Sequence, residues 1–217
     1  MGDFMKYNTY LFDFDGTLVD SMPAFISVML RILDENDISY GSDIVKIITP
    51  LGYVGTAKHF KGMGLDRDVE EIVAMMNEYA YIQYRDFIQA KNNVIEVLKK
   101  LKDEGASLNV LTASPHLALD VCLKRLGIFD LFDNVWSCDD FSTTKADVNI
   151  YKMAAEKIGV PVEEVLFLDD NFNADKTAVE AGMKVCGVYD ASSEEYTQEI
   201  KKICHHYIND FSELLLL

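Results

Sequence analysis

Two regimes of apolar spacing divide the chain. Residues 7–14, Tyr-Asn-Thr-Tyr-Leu-Phe-Asp-Phe, alternate and then fill with large apolar side chains, as a strand buried on both faces does. From residue 20 to about 88 the repeats are helical only. Ser21-Met22-Pro23 is a helix start, followed by Phe25, Val28, Met29 and Ile32 at helical intervals. Asp43–Ile48 is a short helical piece broken by Thr49-Pro50-Leu51-Gly52. Thr56–Phe60 forms a further turn ended by Gly62-Met63-Gly64, and Asp68–Phe87 predicts a long helix. After that, strand and helix alternate. Strands are predicted at Ser107–Leu111, Asn134–Ser137, Val165–Leu168, Lys184–Val188 and His206–Ile208. Helices are predicted at Asn92–Lys102, Pro115–Leu126, Asp147–Ile158, Asn173–Ala181 and Ser193–Ile203, four of them followed by Gly105, Gly127, Gly159 or Gly182. Leu214–Leu217 is a packed or frayed end. The pattern predicts an α/β fold, a parallel sheet wrapped by helices, with an all-helical block inserted after the first strand.

Composition narrows the function classes. Among 217 residues, 36 acids face 20 bases, for a formal net charge of −16. Such a surface repels nucleic acid and anionic membranes, and an anionic substrate needs a local cation to approach it. The opening Met-Gly-Asp-Phe-Met-Lys has no signal-peptide or myristoylation pattern, and no apolar run is long enough to cross a bilayer. Cys122, Cys138, Cys186 and Cys204 are scattered, which suits reduced thiols in a cytoplasmic protein. Cys204-His205-His206 has metal-binding residue types but no partner cluster nearby. No oligomeric state is assigned.

The chemistry gathers at strand ends. Asp13 lies between Phe12 and Phe14, inside an apolar strand, and Asp15-Gly16 follows. A buried carboxylate needs a cation or hydrogen-bond donors, and ligands of open parallel sheets bind beyond the carboxyl ends of the strands. Leu166-Phe167-Leu168-Asp169-Asp170-Asn171 repeats the arrangement: an apolar strand, then two acids. Adjacent like charges call for a cation between them, and hard oxygen donors suit Mg²⁺. Val110-Leu111-Thr112-Ala113-Ser114-Pro115 ends a strand and opens a helix, a place that favours anions, with Ser114 expected as N-cap. Thr143-Thr144-Lys145 supplies a lysine just before a helix.

Asp13-Phe14-Asp15-Gly16-Thr17-Leu18-Val19-Asp20-Ser21 resembles the first signature of the haloacid dehalogenase-like (HAD) phosphatases, and Thr112, Lys145 with Tyr151, and Asp169-Asp170 fit the three later motifs in order. Ala146 and Val148 stand where that family commonly has prolines. The resemblance implies a Rossmann-like parallel sheet with helices on both faces, made by residues 1–19 and 89–217, and a helical cap at 20–88 that closes over substrate. It implies that Asp13 is the nucleophile, and that Asp15 protonates the leaving oxygen and then deprotonates water. Thr112, the Ala113 N–H and Lys145 would hold the phosphoryl group. Mg²⁺ would be held by Asp13, the Asp15 backbone carbonyl and Asp170, with Asp169 ligating or steering. Dehalogenase and phosphonatase branches place no acid at the Asp15 position. The expectation is therefore Mg²⁺-dependent hydrolysis of a small phosphorylated metabolite, similar to phosphoglycolate phosphatases. A β-phosphoglucomutase-like sugar phosphomutase and a catalytically weak binding protein are the alternatives. Met22-Pro23-Ala24-Phe25 offers no polar group for a second phosphate, and the intact acids argue against a mere binder. Spacing to Gly182 puts the third acid of other family variants at Ala174, so Asp175 is expected to be a helix-face acid.

Overall fold

The computed structural model describes residues 7–48 and 51–217. The chain divides into two compact units, one of the described residues up to Asp20 with Gln89–Leu217, the other Ser21–Ile88.

The second unit is helical throughout: α1 (Met22–Glu35), α2 (Ile44–Ile48), α3 (Gly52–Gly62) and α4 (Val69–Asp86). Its core is built from residues spaced three or four apart: Val28, Met29, Ile32 and Leu33 of α1, Ala57 and Phe60 of α3, and Ile72 and Met76 of α4. The sequence places α3 only over Thr56–Phe60, because Gly52 and Gly55 are poor helix formers. The helix starts earlier because packing overrides propensity. A Cβ at Gly55 would come within 2.8 Å of the Leu51 Cβ, so the close turn requires glycine. Thr49 and Pro50, half of the expected breaker, lie outside the described residues, as does the Met1–Lys6 segment.

The first unit holds a six-stranded sheet of β1 (Thr9–Phe12), β2 (Ser107–Thr112), β3 (Asn134–Ser137), β4 (Val165–Asp169), β5 (Lys184–Val188) and β6 (His206–Ile208). Their order is β3-β2-β1-β4-β5-β6, and every pairing is parallel. The helices are α5 (Val94–Asp103), α6 (His116–Arg125), α7 (Val148–Ile158), α8 (Phe172–Ala181) and α9 (Thr197–Ile203). Leu11, Leu111, Phe167 and Val185 share one core with Tyr151, Ala154, Ala174 and Ala178 of α7 and α8. Phe12, the next residue along β1, instead meets Phe132 and Phe211. The side chains of each strand thus feed two cores, so helices cover both faces, the arrangement of a Rossmann-like sheet.

Two expected ends differ in form. Ala191–Tyr196 is a 3-10 helix that runs into α9, and the Leu214–Leu217 tail belongs to a 3-10 helix over Phe211–Leu216 with Leu214 buried. Among the described residues no helix is long and apolar enough to cross a membrane.

Candidate active site

The chain runs β1, β2, β3 to one side and β4, β5, β6 to the other, so the order reverses between β1 and β4. Ligand crevices open beyond the strand ends at such a reversal. Register does the rest. Phe12 pairs with Leu168 on one side and Val110 on the other, and the Asp13 N–H donates to the Leu168 carbonyl at 2.8 Å. One residue further, Asp13 lies beside Asp169. Strands in parallel register point equivalent side chains the same way, so the two carboxylates share a face.

Three carboxylates converge there. Oxygens of Asp13, Asp169 and Asp170, all buried, lie within 4.8 Å of one another. The Lys145 ammonium donates to Asp13 and, at 2.8 Å, to Asp169. The other Asp169 oxygen accepts the Asn171 N–H at 2.7 Å. Asp170 accepts from the Thr17 hydroxyl at 3.2 Å. Gly16 has φ +77°, and a Cβ there would sit 2.7 Å from the Asp170 carboxylate, so both its conformation and its lack of a side chain are required. The Lys145 backbone is held in turn by the Tyr151 hydroxyl, whose single hydrogen is shared between the carbonyls of Lys145 and Ala174, each at 3.1 Å.

Charge is out of balance in this cluster. Burial and the neighbouring carboxylates push the Asp13 carboxyl up to about 7 against the pull of Lys145. Burial, then Asp169 and Asp13, push Asp170 well above the usual carboxylate range. Burial alone would lower the Lys145 ammonium, but Asp13 and Asp169 outweigh it and raise it, so Lys145 is charged. One ammonium faces three carboxylates, which leaves two negative charges uncompensated when all are ionised. An all-oxygen donor set with that deficit fits a hard divalent cation such as Mg²⁺.

The proposed phosphate side lies at the end of β2. Thr112 is buried, and its hydroxyl oxygen accepts the Ser114 N–H at 3.1 Å. The Ser114 hydroxyl donates to Asp15 at 2.5 Å. Ser114 is therefore not the N-cap of α6. That position falls to Pro115, since the helix begins at His116, and proline has no side-chain acceptor to make a capping bond. Ala113 is exposed between them.

Asp175 also departs from expectation. It is fully buried rather than on the helix surface, one oxygen without a hydrogen-bond partner and the other accepting from the Cys204 thiol at 3.4 Å. The Cys204-His205-His206 tract disperses: His205 accepts the Val185 N–H and His206 bonds the Tyr7 hydroxyl. Sequence reasoning assigned no part to Thr17, Asn171 or the Ser114–Asp15 bond. Thr17 carries a signal, since it belongs to the first motif. Ser114 and Asn171 carry none beyond their nearness to motif residues.

A 26% identical relative, the pyrophosphatase PpaX of Bacillus cereus (strain AH820), matches 85% of this chain and 84% of its own. A Thermotoga maritima crystal structure described as that of a putative beta-phosphoglucomutase superposes with TM-score 0.83 at 20% identity, covering 96% of this chain and 97% of its own. A predicted phosphoglycolate phosphatase from Haemophilus somnus 129PT gives 0.79 at 22%, covering 97% of both. The model of the haloacid dehalogenase-like hydrolases matches residues 7–182, and with that span the chain belongs to this family of enzymes.

Proposed function

We propose that the protein is a Mg²⁺-dependent phosphatase that hydrolyses a small phosphorylated metabolite through an aspartyl-phosphate, similar to phosphoglycolate phosphatases. The observation that carries this reading is the Asp13–Lys145–Asp169 contact, with Asp170 alongside, at the sheet's reversal point. Asp13, Asp170, Asp169 and the Asp15 backbone carbonyl would hold Mg²⁺. The ion, when bound, supplies Lewis-acid polarisation and cancels charge.

The chain's own groups divide the remaining work. An Asp13 oxygen attacks phosphorus, and the phosphorus–oxygen bond to the leaving alkoxide breaks. Asp15, oriented by the Ser114 hydroxyl, gives its proton to that oxygen and then takes one from the water that releases phosphate from Asp13. Lys145 holds Asp13 and Asp169 in place and offsets charge on the phosphoryl oxygens. Thr112 and the Ala113 N–H hold those oxygens. The helical unit follows directly on the Asp13–Asp15 loop in the chain and supplies the cap that selects substrate. It has only six Lys and Arg residues, three of which, Arg31, Lys61 and Arg85, pair with Glu35, Asp68 and Asp86; so few cations favour substrates with few anionic groups.

The test is phosphate release from a panel of metabolite monoesters and pyrophosphate, with Mg²⁺ and with chelator, using wild type and Asp13→Asn. Mg²⁺-dependent release lost in the variant is expected. Release from no ester, with phosphoryl transfer between sugar phosphates instead, would overturn the phosphatase in favour of a phosphomutase.

A further inference from the structure

Lys91 lies just beyond the point where the chain re-enters the sheet-bearing unit, and the motifs give it no part. Its side chain is four-fifths buried. The ammonium donates to three acceptors: the Gly16 carbonyl at 2.6 Å, the Tyr189 carbonyl at 2.6 Å and the Asp190 carboxylate at 2.9 Å. Its backbone is fixed as well, with the Lys91 N–H on the Leu18 carbonyl at 3.0 Å and an antiparallel bridge between Val19 and Ala90. An ammonium has three hydrogens, so these contacts use its full donor capacity.

The acceptors are far apart in the chain but together span the catalytic edge. Gly16 follows β1, and Tyr189 and Asp190 follow β5; β4, which ends in the acid pair, lies between them. The ammonium therefore bridges over β4 and anchors the one flexible residue of the Asp15-Gly16-Thr17 turn. That turn carries Asp15 on one side of Gly16 and the Thr17 hydroxyl that holds Asp170 on the other. The Gly16 N–H is already held by the Val19 carbonyl at 3.0 Å, and Lys91 supplies the donor on the opposite, carbonyl side of this positive-φ glycine.

We propose that Lys91 is a positioning residue for proton transfer by Asp15: by tying the Gly16 carbonyl to the Tyr189 carbonyl and the Asp190 carboxylate, it fixes the glycine turn on which Asp15 sits. The proposal rests on the phosphatase reading above. Lys91 touches no reacting atom, and in the wild type Asp190 balances its charge. Its removal opens space, because Lys91 lines a cavity of about 510 Å³ with Asn92, Val188, Asn209 and Phe211, where water can take over the three acceptors.

The experiment measures kcat/KM for aryl phosphates with leaving groups of rising pKa, using wild type, Lys91→Met and Asp15→Asn. A good leaving group departs without a proton and a poor one needs the acid. A misplaced Asp15 therefore makes the dependence on leaving-group pKa steeper. Lys91→Met is expected to lose less than about threefold on p-nitrophenyl phosphate and about tenfold or more on the poorest leaving group, a part of what a positioned acid contributes. Its slope should move toward that of Asp15→Asn, and Lys91→Gln, which keeps an N–H donor, should lie between wild type and Lys91→Met. An equal loss on every ester in a folded variant overturns the proposal, as does failure of both Lys91 variants to fold, which would make the ammonium a folding element. Wild type that releases no phosphate from any ester overturns the phosphatase reading and this proposal together. Active wild type with an unchanged slope in the variants overturns this proposal alone.

Discussion

Asp13 and Asp175 are both acids removed from water in the same sheet-bearing unit, at 5% and 0% exposure, and they are equipped very differently. Asp13 has the Lys145 ammonium on it and two further carboxylates beside it that can share a cation. Asp175 has one thiol and one oxygen with no hydrogen-bond partner. Burial, then the field of Asp169, pushes the Asp175 carboxyl well above its usual range. At Asp13 the surroundings include what an ionised group needs in a low-dielectric site. At Asp175 they favour the protonated acid. Burial of a carboxylate does not by itself mark a reactive one; the accompanying cation and donors do.

The sharpest way to break this contrast is Asp13→Asn. Turnover should fall by at least about 10³-fold, with the thermal midpoint held near wild type; ordinary turnover in a folded variant would remove Asp13 as nucleophile. Lys145→Met comes next. It strips the ammonium from buried carboxylates and should lower unfolding stability by about 3–5 kcal/mol at neutral pH in chelator, read by urea denaturation. A loss below about 1 kcal/mol would mean that the pairing seen at Asp13 matters little to the fold.

Asp170→Ala should weaken Mg²⁺ binding by about tenfold or more, measured by titration calorimetry. In wild type, Mg²⁺ affinity should also fall as pH drops below about 7, because Asp13 then holds a proton that the ion must displace, and the raised Asp170 carboxyl acts in the same direction. Calorimetry in two buffers of different ionisation enthalpy should reveal proton release on binding; none would contradict the raised carboxyls.

The smallest effect belongs to Asp175→Asn. A carboxyl whose folded pKa lies above its unfolded value costs stability as pH rises. The loss begins near the unfolded pKa of about 3.9 and is complete above the raised folded value. The variant lacks that slope. It should gain about 1 kcal/mol over wild type at pH 8, keep its turnover, and match wild type near pH 4. A wild-type stability that rises from pH 4 to 8 without the corresponding slope change in the variant would show Asp175 to be ionised.

Much of the fold was legible because its signals are local. Apolar runs and glycine stops mark most strands and helices of the sheet-bearing unit within a residue or two, α9 starting four residues later than expected; Asp13, Asp169 and Asp170 are chemically out of place enough to be noticed, whereas Lys145 is picked out only by its resemblance to a family motif. What was illegible depends on chain segments far apart in sequence. Lys91 acts through two backbone carbonyls, 75 and 98 residues away, and a carbonyl has no sequence signature. Ser114 reads as a cap in any local window, and only the approach of Asp15 redirects its hydroxyl. Asp175 reads as a surface acid in the first turn of α8. Its burial becomes visible only once Cys204 is brought beside it.

The pairing of Val19 with Ala90, reinforced by the Asp20 N–H on the Gln89 carbonyl at 3.0 Å, has a consequence for how such a protein can change. The chain leaves the sheet-bearing unit and returns to it through neighbouring points, so everything between is a cassette with its two ends side by side. A short loop could close the gap, or a different module could be spliced in, without altering the register of a single strand. Innovation in this lineage can thus proceed by exchange of the intervening segment, while the machinery at the strand ends is inherited unchanged.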